Sequence, residues 1–287
     1  MTQSFSPSDP NSLPELSKKH RRVLVTGAAG RIGSYFAEHT HEKYDLWLMV
    51  LPTDDAEPIK DYGQIVEGNL ENLDRMKELC AGIDTVLHLA GNPSPDATWN
   101  GVLHDNIIGT YNVFVAAKSA GCRRVVYASS VHAISGYPCD VQVKTNDPVN
   151  PGDLYGVSKC FGEAMARYMA EQEGLSSIVL RIGAFQPPEA AETDTSMLDT
   201  FVSQRDLNQL LWRSIDVENL KFAILHGLSD NRFKRMDISD TRALVGFAPE
   251  DDSTELHKGL RKLRLNEEVV ADNLGDGKVE SGLREDL

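Results

Sequence analysis

From Arg22 to Gly183, short β-branched or apolar runs alternate with longer stretches whose apolar residues recur at helical intervals, and this alternation leaves few choices of fold. A chain that interposes a helix between successive strands builds βαβ units, and so a parallel sheet covered on both faces. Strands are expected at RRVLVTG (21–27), YDLWLMVL (44–51), GQIVEGN (63–69), IDTVLHLAG (83–91), RRVVYASS (123–130) and SSIVLRIG (176–183). Helices are expected after Gly30, from Asn72 to Gly82, over about 97–120 and over about 154–173. The Pro-, Asp- and Asn-dense stretch 137–153 reads as a surface loop. Beyond Phe185 the alternation breaks down. Residues 198–215 read as helix, KFAILHG as a strand, SDTRALVGFAP as a short helix ending before Pro249, and 254–263 as a short helix before a charged, mobile end.

Composition narrows the partners. Lys and Arg number 29 against 43 Asp and Glu, a net charge of −14, which argues against nucleic acid or an anionic membrane as the main partner. An anionic ligand must then be met by a local basic group. No apolar run approaches the ~20 residues of a membrane span. The Ser/Pro-rich residues 1–20 have no apolar segment of the secretory kind and read as a disordered tail. Four cysteines (Cys80, Cys122, Cys139, Cys160) show neither CxxC nor Cys/His metal-ligand spacing, so a reducing, cytoplasmic setting is the expectation.

Chemistry enters with VTGAAGRIG, which places Gly27, Gly30 and Gly33, with Arg31 and Ile32 between the last two, at the turn from first strand to first helix. Glycines there permit a tight turn and close backbone approach to a pyrophosphate. The helix N-terminus adds unpaired N–H groups and partial positive charge. The spacing is GxxGxxG. Near the start of a later helix, Tyr155 and Lys159 stand four residues apart and so on one face. A cation some 4–5 Å from a phenol is worth roughly 3–4 kcal/mol at an effective dielectric near 20. Lys159 is therefore expected to pull Tyr155 below its ordinary pKa of about 10, toward general acid–base work. Ser130 ends the fifth strand, at the edge where open α/β sheets bind ligands, and either orients a substrate oxygen or simply caps the strand.

TGxxGxxG, HLAG, NIIGT, ASS and YxxxK, taken as a set over residues 21–185, resemble the extended short-chain dehydrogenase/reductases, the NAD-dependent epimerase/dehydratase family. The resemblance implies a Rossmann-type doubly wound parallel sheet with a small C-terminal substrate lobe. Residues 21–185 become the dinucleotide-binding domain, 186–250 the substrate lobe and 251–287 a charged terminal segment. Tyr155 is then the catalytic acid/base, Lys159 also holds the nicotinamide ribose, and Ser130 positions the reacting oxygen. Leu89, Ala90 and Gly91 line the adenosine side, Asn106 supports the helix carrying the lysine, and Asn69–Leu70 stands where the family commonly has Asp-Leu against the adenine. Within the family, TGAAGRIG, NIIGTYNVF, ASSVHAISGYP and LYGVSKCFGE look most like uronate dehydrogenases, and His132 matches a substrate-side residue of that branch.

Departures from that branch bear on the substrate. Ala184 replaces a Ser after RIG, Val131 replaces an Asn, and Ser196 stands where the branch carries an Arg for the uronate carboxylate. Arg205 is the nearest candidate for a replacement clamp, or else a solvated arginine. Leu51 occupies the position expected for an acidic ribose ligand, Asp54 and Asp55 come slightly late, and Arg31 offers a partner for a 2′-phosphate. The expected cofactor is NAD, with NADP open. The expected activity is oxidation of a hydroxyl of a small sugar or sugar acid, against a sugar epimerase or dehydratase with tightly bound NAD, or a dinucleotide-binding sensor. Apolar stripes on the two long helices (Val113, Phe114, Ala117; Phe161, Met165, Tyr168) belong either to the core or to a homodimer or higher homo-oligomer interface.

Overall fold

The computed structural model describes residues 20–260. Its elements follow in order: β1 (Arg22–Thr26), α1 (Arg31–Thr40), β2 (Asp45–Val50), β3 (Gln64–Glu67), α2 (Leu73–Cys80), β4 (Thr85–His88) and α3 (Trp99–Val102). A π-wound segment, Leu103–Gly109, joins α3 to α4 (Thr110–Ser119), followed by β5 (Arg124–Ser130), α5 (Leu154–Glu171), β6 (Ser176–Ile182) and β7 (Ala184–Gln186). Then come β8 (Phe201–Ser203), α6 (Gln204–Asp216), β9 (Phe222–Gly227), α7 (Ser239–Val245) and α8 (Ser253–Leu256).

Seven strands form one parallel sheet in the order β3-β2-β1-β4-β5-β6-β9. Strands β4 and β5 are buried at every position and carry consecutive apolar residues at their centres (Val86–Leu87 and Val125–Ala128), because both faces of the sheet are covered. One face packs Phe36 and Ala37 of α1 with Leu207, Leu210 and Leu211 of α6. The other packs Met76 of α2, Val113 and Phe114 of α4 and Ala166 of α5. The chain runs outward from β1 through β2 to β3, then crosses back to β4. The resulting divergence between β1 and β4 opens a crevice at their carboxyl ends.

The sheet continues past residue 185. β9 is its seventh strand and α6 covers one face, so part of 186–250 belongs to the same layered body. A small third core of Val131, Ile134, Val143, Leu228, Met236 and Ile238 lies beyond the strand ends. There Val143 bridges Met236 and ties the loop 137–153 to the segment before α7.

Three expectations need correction. Residues 198–215 are not helical throughout: Phe201–Ser203 pairs with β7, and α6 starts only at Gln204 because the Ser203 hydroxyl accepts the Asp206 N–H as an N-cap. The stretch 97–120 is not one regular α-helix. It begins at Trp99 behind its Thr98 cap and is π-wound in the middle. The helix expected over 254–263 covers Ser253–Leu256 and stops where His257 turns extended and the Lys258 N–H is taken by the Glu192 carbonyl. Residues 1–19 of the expected tail, and everything after Leu260 in the expected charged end, lie outside the described residues.

Candidate active site

A cavity of about 920 Å³ occupies the crevice, running from the glycine turn past the ends of β2, β4 and β5 to Arg235. At its floor Gly27 has φ +70°, and a Cβ there would lie 2.9 Å from the Ala90 backbone. A Cβ at Gly33 would lie 2.4 Å from the Gly27 carbonyl, so this turn closes only with glycine. Gly30 caps α1 without a side chain, and the first turn carries no acidic residue. The opening N–H groups of α1 therefore have no intrahelical acceptor, and their positive end faces a cavity lined by Gly27, Gly30, Arg31, Ile32 and Gly33. These residues fit a pyrophosphate.

Leu89, Ala90, Gly91, Asn69 and Leu70 also line the cavity. Asn69 spends its Oδ1 on the Glu71 N–H, and Asn112 holds the turn by donating to the Leu70 and Glu71 carbonyls. Asn106 is buried behind the wall rather than in it. Its amide accepts from the Asn92 N–H (2.7 Å) and donates to the Asn92 carbonyl (3.0 Å) and the Ser158 hydroxyl (2.9 Å), joining the β4 turn to α5. At the end of β2, Leu51 is exposed, but Asp54 and Asp55 both reach the cavity, because the chain turns back with the Asp54 N–H on the Leu51 carbonyl. Arg31 does not point to that end. Its Nη2 donates to the Phe185 carbonyl (2.9 Å) and Gln186 Oε1 (2.6 Å), on the β7 side.

Ser130, Tyr155 and Lys159 converge on the cavity as the spacing predicts. The Lys159 Nζ donates to the Ala128 carbonyl (2.9 Å) and stands 5.5 Å from the Tyr155 ring centre. The expected depression of Tyr155 by Lys159 is not met by the protein's own groups. Burial pushes the phenol up and outweighs the opposing hydrogen bond of the Ser130 hydroxyl, with Asp153 adding to the rise. Burial also pulls the Lys159 ammonium down to about 8. Burial, the cost of holding charge away from water, is the largest cause of both shifts.

Val131, His132 and Ala184 line the far end. The His132 ring lies edge-on to Tyr155 at 5.3 Å, and its Nδ1 is 2.6 Å from Asp153 Oδ2. The other Asp153 oxygen accepts the Gly156 N–H at the start of α5, so one carboxylate fixes both the helix that presents Tyr155 and the imidazole beside it. Arg205 is not brought to the cavity. It is half-exposed on α6 and pairs with Glu250 (2.8 Å) and Asp251 (2.9 Å), which neutralise it at the surface.

The model of the NAD dependent epimerase/dehydratase family matches residues 23–232. The chain belongs to that family. The NAD-dependent glucose-6-phosphate dehydrogenase of Haloferax volcanii is 31% identical, over 81% of this chain and 94% of that protein. The L-arabinose 1-dehydrogenase (NAD(P)(+)) of the same organism is 32% identical, over 81% and 97%. Among solved structures, a mutant of uronate dehydrogenase from Agrobacterium tumefaciens, complexed with NAD, superposes with a TM-score of 0.76 at 31% identity, over 85% of this chain and 90% of that one.

For this member of the epimerase/dehydratase family, several cavity residues escape a reading by motif. Asp54 and Asp55 stand a few residues late because a turn carries them back. Asp153 is visible only as the helix cap before LYGVSK. Thr200, Arg235 and Met236 reach the cavity from segments with no periodic pattern, brought there by pairing between β7 and β8 and by the bridge to Val143.

Proposed function

We propose that this chain is an NAD-dependent dehydrogenase that oxidises a hydroxyl of a small sugar or sugar acid. The observation that carries the reading is the convergence of Ser130, Tyr155 and Lys159 on the cavity that also holds the glycine turn. Sugar and sugar-acid dehydrogenases among its relatives support it. Residues 21–185 supply most of the cofactor side, and 186–250, apart from the shared β9 and α6, complete the substrate side begun by Val131, His132 and Ala184.

Bound NAD supplies a hydride acceptor with a positively charged nicotinamide ring. Ser130 donates a hydrogen bond to the reacting oxygen, and Tyr155 takes the hydroxyl proton as the carbon gives up its hydride with both electrons. The C–O bond becomes a carbonyl. Lys159 would hold the nicotinamide ribose, while His132, braced by Asp153, borders the substrate. The carboxylates of Asp54 and Asp55 suit a ribose diol and repel a 2′-phosphate, and Arg31, engaged at β7, is not there to receive one.

The chain works in the cytoplasm, consistent with four free thiols and with no described helix long and apolar enough to cross a membrane. It assembles as a homodimer through the outer faces of α4 and α5. Val113, Phe114 and Ala117 are core residues, but Tyr111, Leu154, Val157 and Tyr168 on the same two helices are exposed.

Reduction of NAD and NADP followed at 340 nm, across hexuronates, hexose 6-phosphates, pentoses and hexoses, tests the reading. Stoichiometric NADH from one of these sugars, with NAD favoured over NADP at least on the order of tenfold, is expected. Tightly retained NAD with a sugar interconverted and no net NADH would turn the assignment to an epimerase, and binding without turnover to a sensor.

A further inference from the structure

We infer that Arg235 holds an anionic group of the substrate, and hence that the sugar oxidised carries a carboxylate or a phosphate. This rests on the dehydrogenase reading and adds to it a substrate class.

Arg235 lines the substrate end of the cavity together with His132, Ala184, Thr200 and Met236. The chain is strongly acidic, so an anion entering this crevice needs a local cation whose charge is not already matched. Most candidates fail that condition. Arg205 is paired with Glu250 and Asp251, and Lys234 with Asp230 at 3.0 Å. Arg31 lines the cavity too, without a carboxylate partner, but its Nη2 is spent on the Phe185 carbonyl and Gln186 Oε1. Among the described residues no carboxylate pairs with the Arg235 guanidinium, whose acceptors are backbone carbonyls.

Its geometry is set in advance. The Arg235 carbonyl accepts the Val143 N–H (2.8 Å), the Arg235 N–H donates to the Asp199 carbonyl (3.3 Å), and the next residue, Met236, is fully buried in the third core. The Nη2 group donates to the carbonyls of Ser135 and Tyr137, in the segment that leaves Ser130 and His132. The Nε–H is buried with no partner and closed off from the cavity, while Nη1, which is not buried, donates to no described residue. An oxyanion entering the cavity beside Nη1 gains charge-assisted hydrogen bonds from a guanidinium that no carboxylate has already matched. A clamp of this kind replaces the one absent at Ser196 by a different route through the fold.

The test compares wild type with Arg235→Met, Arg235→Lys and, as a surface control, Arg205→Met. Steady-state kinetics use a hexuronate, a hexose 6-phosphate and the neutral hexose, and calorimetric titration of each sugar into the NADH complex gives binding independently of turnover. NADH affinity by fluorescence confirms that each variant is folded with its cofactor side intact. Wild type is expected to favour one anionic sugar over the neutral one. Arg235→Met should weaken that sugar's binding and raise its KM on the order of 10- to 100-fold, with Lys recovering part of the loss and Arg205→Met without effect. The uronate and phosphate arms distinguish the two sources of the anion. Preference for the neutral sugar, or unchanged binding of the anionic one in Arg235→Met, overturns the inference. Loss of anion binding in Arg235→Met without turnover on any sugar would instead sustain the anion site and reject the dehydrogenase reading.

Discussion

Lys159 shows what a buried cation costs the fold. Its ammonium is buried, with the Ala128 carbonyl as its hydrogen-bond acceptor, and its pKa of about 8 lies below the ordinary 10.5. Between those values the unfolded chain holds a proton that the folded chain has lost, so stability rises with pH across that interval, and the burden of the buried charge is full below pH 8. Lys159→Met should therefore melt above wild type at about pH 7, by an increment that shrinks toward about pH 10, and differential scanning fluorimetry at the two pH values checks this. An increment that is absent, or that grows with pH, would contradict it. The Tyr155–Lys159 pair was legible from its spacing. The direction of the Tyr155 shift was not, because spacing reports which groups face each other and says nothing of how far both are removed from water.

At the scale of elements, the parallel sheet was legible because buried parallel strands carry consecutive apolar residues at their centres, and six of its seven strands follow the alternation with helices. Three-residue strands such as β7 and β8 carry too little pattern to read. The π-winding of Leu103–Gly109 is likewise hidden, since a few residues of wider turn leave the apolar spacing nearly unchanged. That segment sets where Asn106 sits, and Asn106 joins the β4 turn to α5 through Asn92 and Ser158. Asn106→Ala should cost about 1–3 kcal/mol of stability and weaken NADH binding without altering the pKa that governs kcat. Denaturant titration and fluorescence binding measure both. Unchanged binding would show that the turn holds without its brace.

For the whole molecule, the charge excess of the sequence argues against classes of partner but does not say which cation an anionic ligand would meet. Arg205 looked available in sequence and is neutralised by residues 250–251, which are distant in the chain and close in the fold. Arg235 carried no motif and reaches the crevice through long-range pairing. Assembly has the same character: of the apolar residues on the long helices, tertiary packing decides which remain outside. Light scattering should give twice the chain mass, and Tyr111→Glu with Tyr168→Glu should return a monomer; a monomeric wild type would exclude the α4/α5 interface. The most direct test of the central claim is NADH formation at 340 nm by wild type and by Tyr155→Phe, with NADH affinity measured on both. Wild type should reduce NAD in step with loss of the sugar, and Tyr155→Phe should bind NADH equally well while kcat falls by roughly 10²- to 10⁴-fold. Equal rates in the two proteins would contradict the assignment of Tyr155 as the group that takes the proton.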